Sequence, residues 1–318
     1  MTVAPFATAL VGRLRGSGRG LVIAVPYLWL AVFFLVPFAF VLKIAFSTAT
    51  VGIPPYEPLF SMPEDGVLRL DLHLDNIGRL FDDDLYVLAY LSSLQLAAIT
   101  TLLCLLLGYP MAYAIVRAPA SRRSALLMLI ILPFWTSFLI RVYAWIGILK
   151  DNGLLNNLLI SLGIIDEPLV IMNTQTAVFI GMVYAYLPFM ILPLYAQLEK
   201  LDVSLLEAAS DLGARPLRAF WSITLPLSLP GIIAGSLLVF IPAVGEFVIP
   251  SLLGGADTLM IANVVWTEFF ANRDWPVAAT VTIAMIAFLV VPIMLFQRLQ
   301  GRQAEAAARP APPAAAVP

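Results

Sequence analysis

An all-α integral membrane fold with six transmembrane helices is what this sequence predicts, and three observations carry the prediction. The 318 residues are 61% hydrophobic and only 12% charged, whereas soluble domains carry about 25% charged residues. Six apolar stretches recur near the roughly 20-residue length that a bilayer demands of a helix. The arginines and lysines fall mostly into loops on one side of those stretches, the bias that sets orientation in a membrane. A net charge of −2 with no basic face gives nucleic acid nothing to bind. Cys104 stands alone in an apolar run and His73 is the single histidine. Internal disulfides, histidine metal clusters and Ser-His-type triads are therefore excluded.

In chain order, an N-terminal arm, 1–20, carries Arg13, Arg15 and Arg19 ahead of the first apolar run, 21–46. That run is far longer than a signal-peptide core and no small-residue cleavage site follows, so it reads as an uncleaved first span. The external loop after it, to residue 84, is acidic, with Glu57, Glu64, Asp65, Asp71, Asp75 and Asp82-Asp83-Asp84. Three readings stay open for it: a solvated surface, a landing surface for a soluble binding protein, or an electrostatic funnel for a cation. Spans two and three, 85–116 and 124–149, flank a short loop with Arg117, Arg122 and Arg123. The second external loop, 151–172, has an apolar stretch bracketed by glycines and predicts a short helix at the membrane surface. Spans four, five and six follow at 173–198, 227–250 and 276–297. Between the last two lies a loop with Gly254-Gly255 and an amphipathic run through Trp266, Phe269 and Phe270, expected to shape an outer mouth.

Proline lies in or beside every span, tolerated where neighbouring groups re-satisfy the freed backbone. The tail, 298–318, is rich in alanine and proline and is predicted to be disordered. Arg13, Arg15, Arg19, Arg117, Arg122, Arg123, Lys200, Arg215, Arg218, Arg298, Arg302 and Arg309 share one side. Arg69, Arg79 and Arg273 occupy the other, with Lys150 at a boundary. Both termini are thus expected in the cytosol.

The same side holds one ordered polar segment, 203–226, within the core region 85–297. Ser204 can cap a short helix, with Glu207 completing a capping box three residues on. Gly213 supplies a left-handed end, and Pro216 suits the first turn of a second helix. A helical elbow of about twenty residues in a cytosolic loop presents something to a soluble partner.

Charges within spans are costly and functional by default. Arg141 in the third span and Glu246 in the fifth each lie about seventeen positions past the cytosolic start, roughly 25 Å up at 1.5 Å per residue. They fit a mutual pair, a pathway in which Glu246 attracts a cation at the outer gate, or snorkelling to the interface. Aromatic residues are dense at the same level. Trp135 and Tyr184 are the candidates for a lining that would hold an organic cation on ring faces. No lysine follows a glycine, so the chain lacks a phosphate-binding loop and any ATP must be hydrolysed by another subunit.

Glu207-Ala208-Ala209, Gly213, Ile223, Leu225 and Pro226 together resemble the signature of permease subunits of ATP-binding-cassette (ABC) importers. The resemblance implies a type I ABC importer permease fold in a bacterial plasma membrane. It makes the elbow a coupling helix, docked in a groove on a cytosolic ATPase dimer that carries the ATP and magnesium. It also implies a second homologous permease subunit, an external solute-binding protein, surrounding lipid and no cofactor on this chain. Three further segments are similar to polyamine importer permeases, especially putrescine-type ones: Pro133-Phe134-Trp135 through Trp145, Ile241-Pro242 through Pro250, and Phe269-Phe270 through Pro276. The cargo this implies is putrescine or spermidine. Alternatives are the same importer class carrying another small solute, or an ion-coupled secondary transporter, which would show internal repeats and midplane carboxylates.

Overall fold

The computed structural model describes residues 22–61, 69–256 and 258–307. Along the chain run α1 (Val22–Ala45), α2 (Asp75–Asp82), α3 (Asp84–Arg117), α4 (Ala120–Ile131), α5 (Phe138–Leu149) and α6 (Leu154–Ser161). Then come α7 (Gln175–Leu198), α8 (Ser204–Asp211), α9 (Pro216–Val244), α10 (Val248–Leu253), α11 (Ile261–Ala271) and α12 (Trp275–Ala307). Extended pairing among the described residues is confined to a two-residue ribbon, Phe60–Ser61 against Arg69–Leu70, and one bridge between Ala49 and Tyr56. The arm 1–20 with Arg13, Arg15 and Arg19, the loop acids Glu64 and Asp65, and the end of the tail from 308 lie outside the described residues.

Helices α1, α3, α7 and α9 are long and apolar enough to cross a membrane. The predicted third span, 124–149, is not one rod: Ala120–Trp135 and Phe138–Ser161 meet at 91°, making a fifth crossing only if the pair counts as one. Pro133 sits in a 3-10 turn, Leu132–Trp135, after which Thr136 is extended. The Thr136 hydroxyl donates to the Pro133 carbonyl at 2.8 Å, holding the chain out of helical register where proline has removed a donor. The predicted fifth span, 227–250, is shifted. Its helix begins at Pro216 and stops at Val244, and 248–253 form the separate α10. The predicted sixth span runs on as α12 through Ala307. Residues 298–307 are therefore helical and not irregular, as their alanine, glutamine, glutamate and arginine content favours.

The chain divides into two compact units. One runs to Asp82 and resumes at Val265; the other is Asp83–Val264. In the first, α1 packs on α12 and its C-terminus is closed by side chains. The Asn76 amide of α2 donates to the carbonyls of Ala45 (3.1 Å) and Ser47 (2.8 Å), and the Thr280 hydroxyl of α12 donates to Ala45 (3.0 Å). Orphan carbonyls at a helix end need such partners. Asp274 starts α12 by accepting from the Val277 amide at 3.1 Å and also meets Arg79 at 3.5 Å.

In the second unit α3, α7 and α9 form the core, with Cys104, Met182, Met190, Ile191, Leu194 and Val239 fully buried. Small residues bring the backbones close, as expected where lipid offers no hydrophobic contrast. A Cβ at Gly235 of α9 would lie 2.8 Å from the Met190 sulfur and 3.1 Å from its carbonyl oxygen. Gly235→Val is therefore expected to cost about 1–3 kcal/mol through overpacking. A lowered unfolding midpoint of the purified protein would show it, and an unchanged midpoint would contradict this packing.

Proline inside α9 is accommodated by a π turn, Phe220–Thr224, closed by the Leu225 amide donating to the Phe220 carbonyl. Pro226 follows directly. The wider turn moves the carbonyl ladder off the proline ring, which would collide with it in an ordinary helix. In α1 a π turn at Ala31–Leu35 likewise stands two residues before Pro37.

Candidate functional site

The elbow is built from two short-range devices. Helix α8 begins after Asp202, whose carboxylate Oδ1 accepts from the Ser204 amide at 3.0 Å. That hydrogen bond, with a second from the Ser204 side chain, holds the Asp202 carboxyl below its usual range. The predicted capping box is thus not formed. Ser204 already lies in the helix, and Asp202 takes the Ser204 amide, the donor that Glu207 was expected to satisfy. Glu207, released from that role, is exposed and has no partner among the described residues.

Helix α8 ends in a Schellman motif. Gly213 has φ +79°, its amide donates to Ser210 at 2.9 Å, and the Ala214 amide donates to Ala209 at 2.9 Å. This is the left-handed closure that glycine permits without a Cβ penalty. Arg215 is extended, and Pro216 then opens the next helix as predicted. That helix is continuous with the following span, however, and not a second arm of a free-standing pair. Glu207, Ala208, buried Ala209 and Gly213 belong to the elbow, whereas Ile223, Leu225 and Pro226 belong to the base of α9. The elbow surface is apolar for a loop: Leu205 is 44% exposed, Leu212 88% and Leu217 75%.

Behind the elbow lies a cleft of 370 Å³ between Tyr113 and Val116 of α3, Leu201, Val203 and Leu206 at the elbow root, and Thr224 of α9. At its rim the Tyr195 hydroxyl donates to Glu199 Oε1 at 2.6 Å, and Arg123 Nη1 approaches the same oxygen at 3.8 Å. Arg123 Nε also donates to the Ala118 carbonyl at 3.0 Å. Sequence reasoning missed this group, because Arg123 read as an isolated loop charge and Glu199 was not singled out.

At the opposite end of the same unit, Glu246 is buried and does not pair with Arg141. Both of its oxygens are engaged: Oε1 accepts from the amides of Val248 (3.0 Å) and Ile249 (3.3 Å), and Oε2 accepts from the Tyr186 hydroxyl at 2.5 Å. The carboxylate therefore caps α10 in the break beyond Val244 and ties it to α7. Arg141 instead lays its guanidinium over Phe134 (5.1 Å) and Phe138 (5.7 Å), and its Nε is buried without a partner.

An aromatic row connects the two charges. Tyr186 neighbours Phe189 at 6.3 Å, and Phe189 meets Phe134 edge-on at 5.3 Å. Of the other predicted lining residues, Tyr184 packs edge-on against Trp145 at 5.4 Å, outside that row, and Trp135 stands 73% exposed. No local pattern marks Tyr186 as the partner of a glutamate sixty positions away; its place among dense aromatics was the available signal.

Apolar helices of membrane length, with buried polar groups taken up by protein partners, define a multi-pass membrane protein. The chain belongs to the family described as binding-protein-dependent transport system inner membrane component, whose profile matches residues 104–305. It is 41% identical over 276 residues to the spermidine/putrescine transport system permease protein PotB of Haemophilus influenzae, covering 87% of this chain and 92% of that protein. PotB of Escherichia coli strain K12 is 43% identical over 270 residues, covering 85% and 93%. Among solved structures, the crystal structure of a bacterial ABC transporter involved in the import of the acidic polysaccharide alginate superimposes with a TM-score of 0.66 at 16% identity. That match covers 92% of this chain and 99% of the other; at such identity it speaks to the fold alone.

Proposed function

We propose that the chain is the permease subunit of a binding-protein-dependent, ATP-driven importer in a bacterial inner membrane and forms the path for putrescine or spermidine. In this reading α1, α3, the bent α4–α5 pair, α7, α9 and α12 are its six spans, and both termini are cytosolic. A second homologous permease completes the path, an external binding protein delivers the cargo, and a cytosolic ATPase dimer holds ATP and magnesium. The chain itself binds no cofactor and performs no catalysis. The observation that carries the coupling role is the elbow: an ordered helix in a polar loop that leaves Leu205, Leu212, Leu217 and Glu207 exposed. Apolar side chains so displayed on a soluble loop mark a surface meant to be covered by a partner. Identity above 40% with PotB proteins over most of both chains supports the polyamine cargo. The fold does not choose among cargoes, since an alginate importer shares it.

Glu246 is assigned to the outer gate as a positioning residue, because its acceptors are already taken within the chain. Arg141, Trp135 and Tyr184 are assigned to the path, where ring faces suit an organic cation. Glu207→Lys reverses the charge of the exposed elbow residue. It is expected to lower polyamine uptake by the assembled complex roughly tenfold, a coupling loss within the usual range for linked sites, with less ATPase retained on co-purification. Full uptake with full ATPase recovery would overturn the coupling assignment. Uptake of an unrelated solute in place of polyamine would overturn the cargo and leave the class intact.

A further inference from the structure

We propose that Arg123 and Glu199 form a strut that carries elbow movement into the bent α4–α5 pair, making both positioning residues for transport. The inference rests on reading α8 as the coupling element and concerns how its motion spreads.

The elbow root is poorly supported by packing. Leu201, Val203 and Leu206 face the 370 Å³ cleft and not a filled core. A close-packed contact transmits displacement, while an open cleft lets its walls move independently. The backbone ties α8 to its unit, entering at Lys200 and leaving through Gly213 to α9. Just ahead of that entry, a polar tie at the cleft rim holds the end of α7 to α4.

Glu199 lies immediately after α7, one residue before the elbow loop begins, and its Oε1 is approached by both Tyr195 and Arg123. Arg123 lies in the first turn of α4 and uses Nε to hold the Ala118 carbonyl in the turn between α3 and α4. A guanidinium is a rigid, planar fork, so one side chain fixes the root of the elbow and the start of the broken span together. Arg123 and Glu199 are 31% and 47% exposed along their side chains. Ion pairs that accessible add little to stability, which leaves geometry as their contribution. The path defined this way bypasses α9 and reaches the helix pair that carries Phe134, Trp135 and Arg141.

The test uses the complete complex, with its ATPase and binding protein, reconstituted in lipid vesicles. Uptake of labelled putrescine per ATP hydrolysed is measured for Arg123→Glu, Glu199→Arg and the double exchange. Each single reversal is expected to lower that ratio about tenfold, within the range of coupling between linked sites, while ATP hydrolysis continues. The double exchange restores the opposite charges and should recover most of the ratio, as a direct pairwise interaction requires. Should a reversal prevent assembly, Glu199→Gln removes the charge at an accessible position and is judged by the same ratio. Wild-type ratios in the single variants, or no recovery in the double, would overturn the strut. Glu207→Lys run alongside separates the cases. If it abolishes uptake while the Arg123 and Glu199 variants transport normally, only the strut fails; if it too leaves uptake intact, the coupling role of α8 fails with it.

Discussion

Replacing Glu246 with alanine is expected to destabilise the purified protein by several kcal/mol and to abolish uptake by whatever fraction still assembles. Three donors lose their acceptor at once: the Val248 and Ile249 amides and the Tyr186 hydroxyl. Each buried donor left unsatisfied costs about 1–3 kcal/mol, and no water replaces the lost oxygen within a bilayer. Glu246→Gln should be much milder. Its amide oxygen can still accept from the two backbone donors, and its NH₂ can donate to the Tyr186 hydroxyl, which accepts as readily as it donates. Thermal unfolding of the complex, with uptake per folded molecule, separates the outcomes. An alanine variant as stable and active as the parent would mean that the carboxylate neither caps α10 nor fastens it to α7.

Gly213→Val is expected to give the second largest effect, this time on transport more than on global stability. At φ +79° an L-residue pays about 1–2 kcal/mol, and a β-branched one is a true outlier in this region. A Cβ at this position would meet nothing within 4 Å, so the penalty comes from the backbone alone. That gives a clean control: Gly213→Asn adds a larger side chain but tolerates the left-handed conformation, and should retain most activity. Uptake by assembled complexes should therefore rank glycine, then asparagine, then valine far behind. Equal loss in asparagine and valine would point to side-chain bulk against a docked partner and away from the Schellman turn.

Much of this architecture is legible from local chemistry. The spans read as 85–116 and 173–198 emerge as Asp84–Arg117 and Gln175–Leu198. Each is a long apolar run with a polar cap, Asp83 or Thr174, accepting an amide at its start. Gly213 and Pro216 mark the elbow's turn because φ restrictions act on single residues. The 91° break near Pro133 was not readable, since proline is tolerated within α7 and α9 without interrupting either helix. Nor did composition distinguish a buried cap from an intramembrane ion pair for Glu246. Its donors are two amides in the next turn and a hydroxyl on another helix, and only the fold brings those together. Asp202 outcompeted Ser204 for the same reason that the pattern was ambiguous: both are good N-cap residues two positions apart.

The continuity of α9 with the elbow's exit also fixes a gearing. A 29-residue helix is about 43 Å long at its 1.5 Å rise, and its base begins three residues beyond the Gly213 joint. A tilt of about 10° imposed at that base sweeps the far end through about 7.5 Å, more than the width of an extended polyamine chain. In the proposed coupling, small rotations received at the foot become aperture-sized displacements at the other end, next to the Glu246 cap.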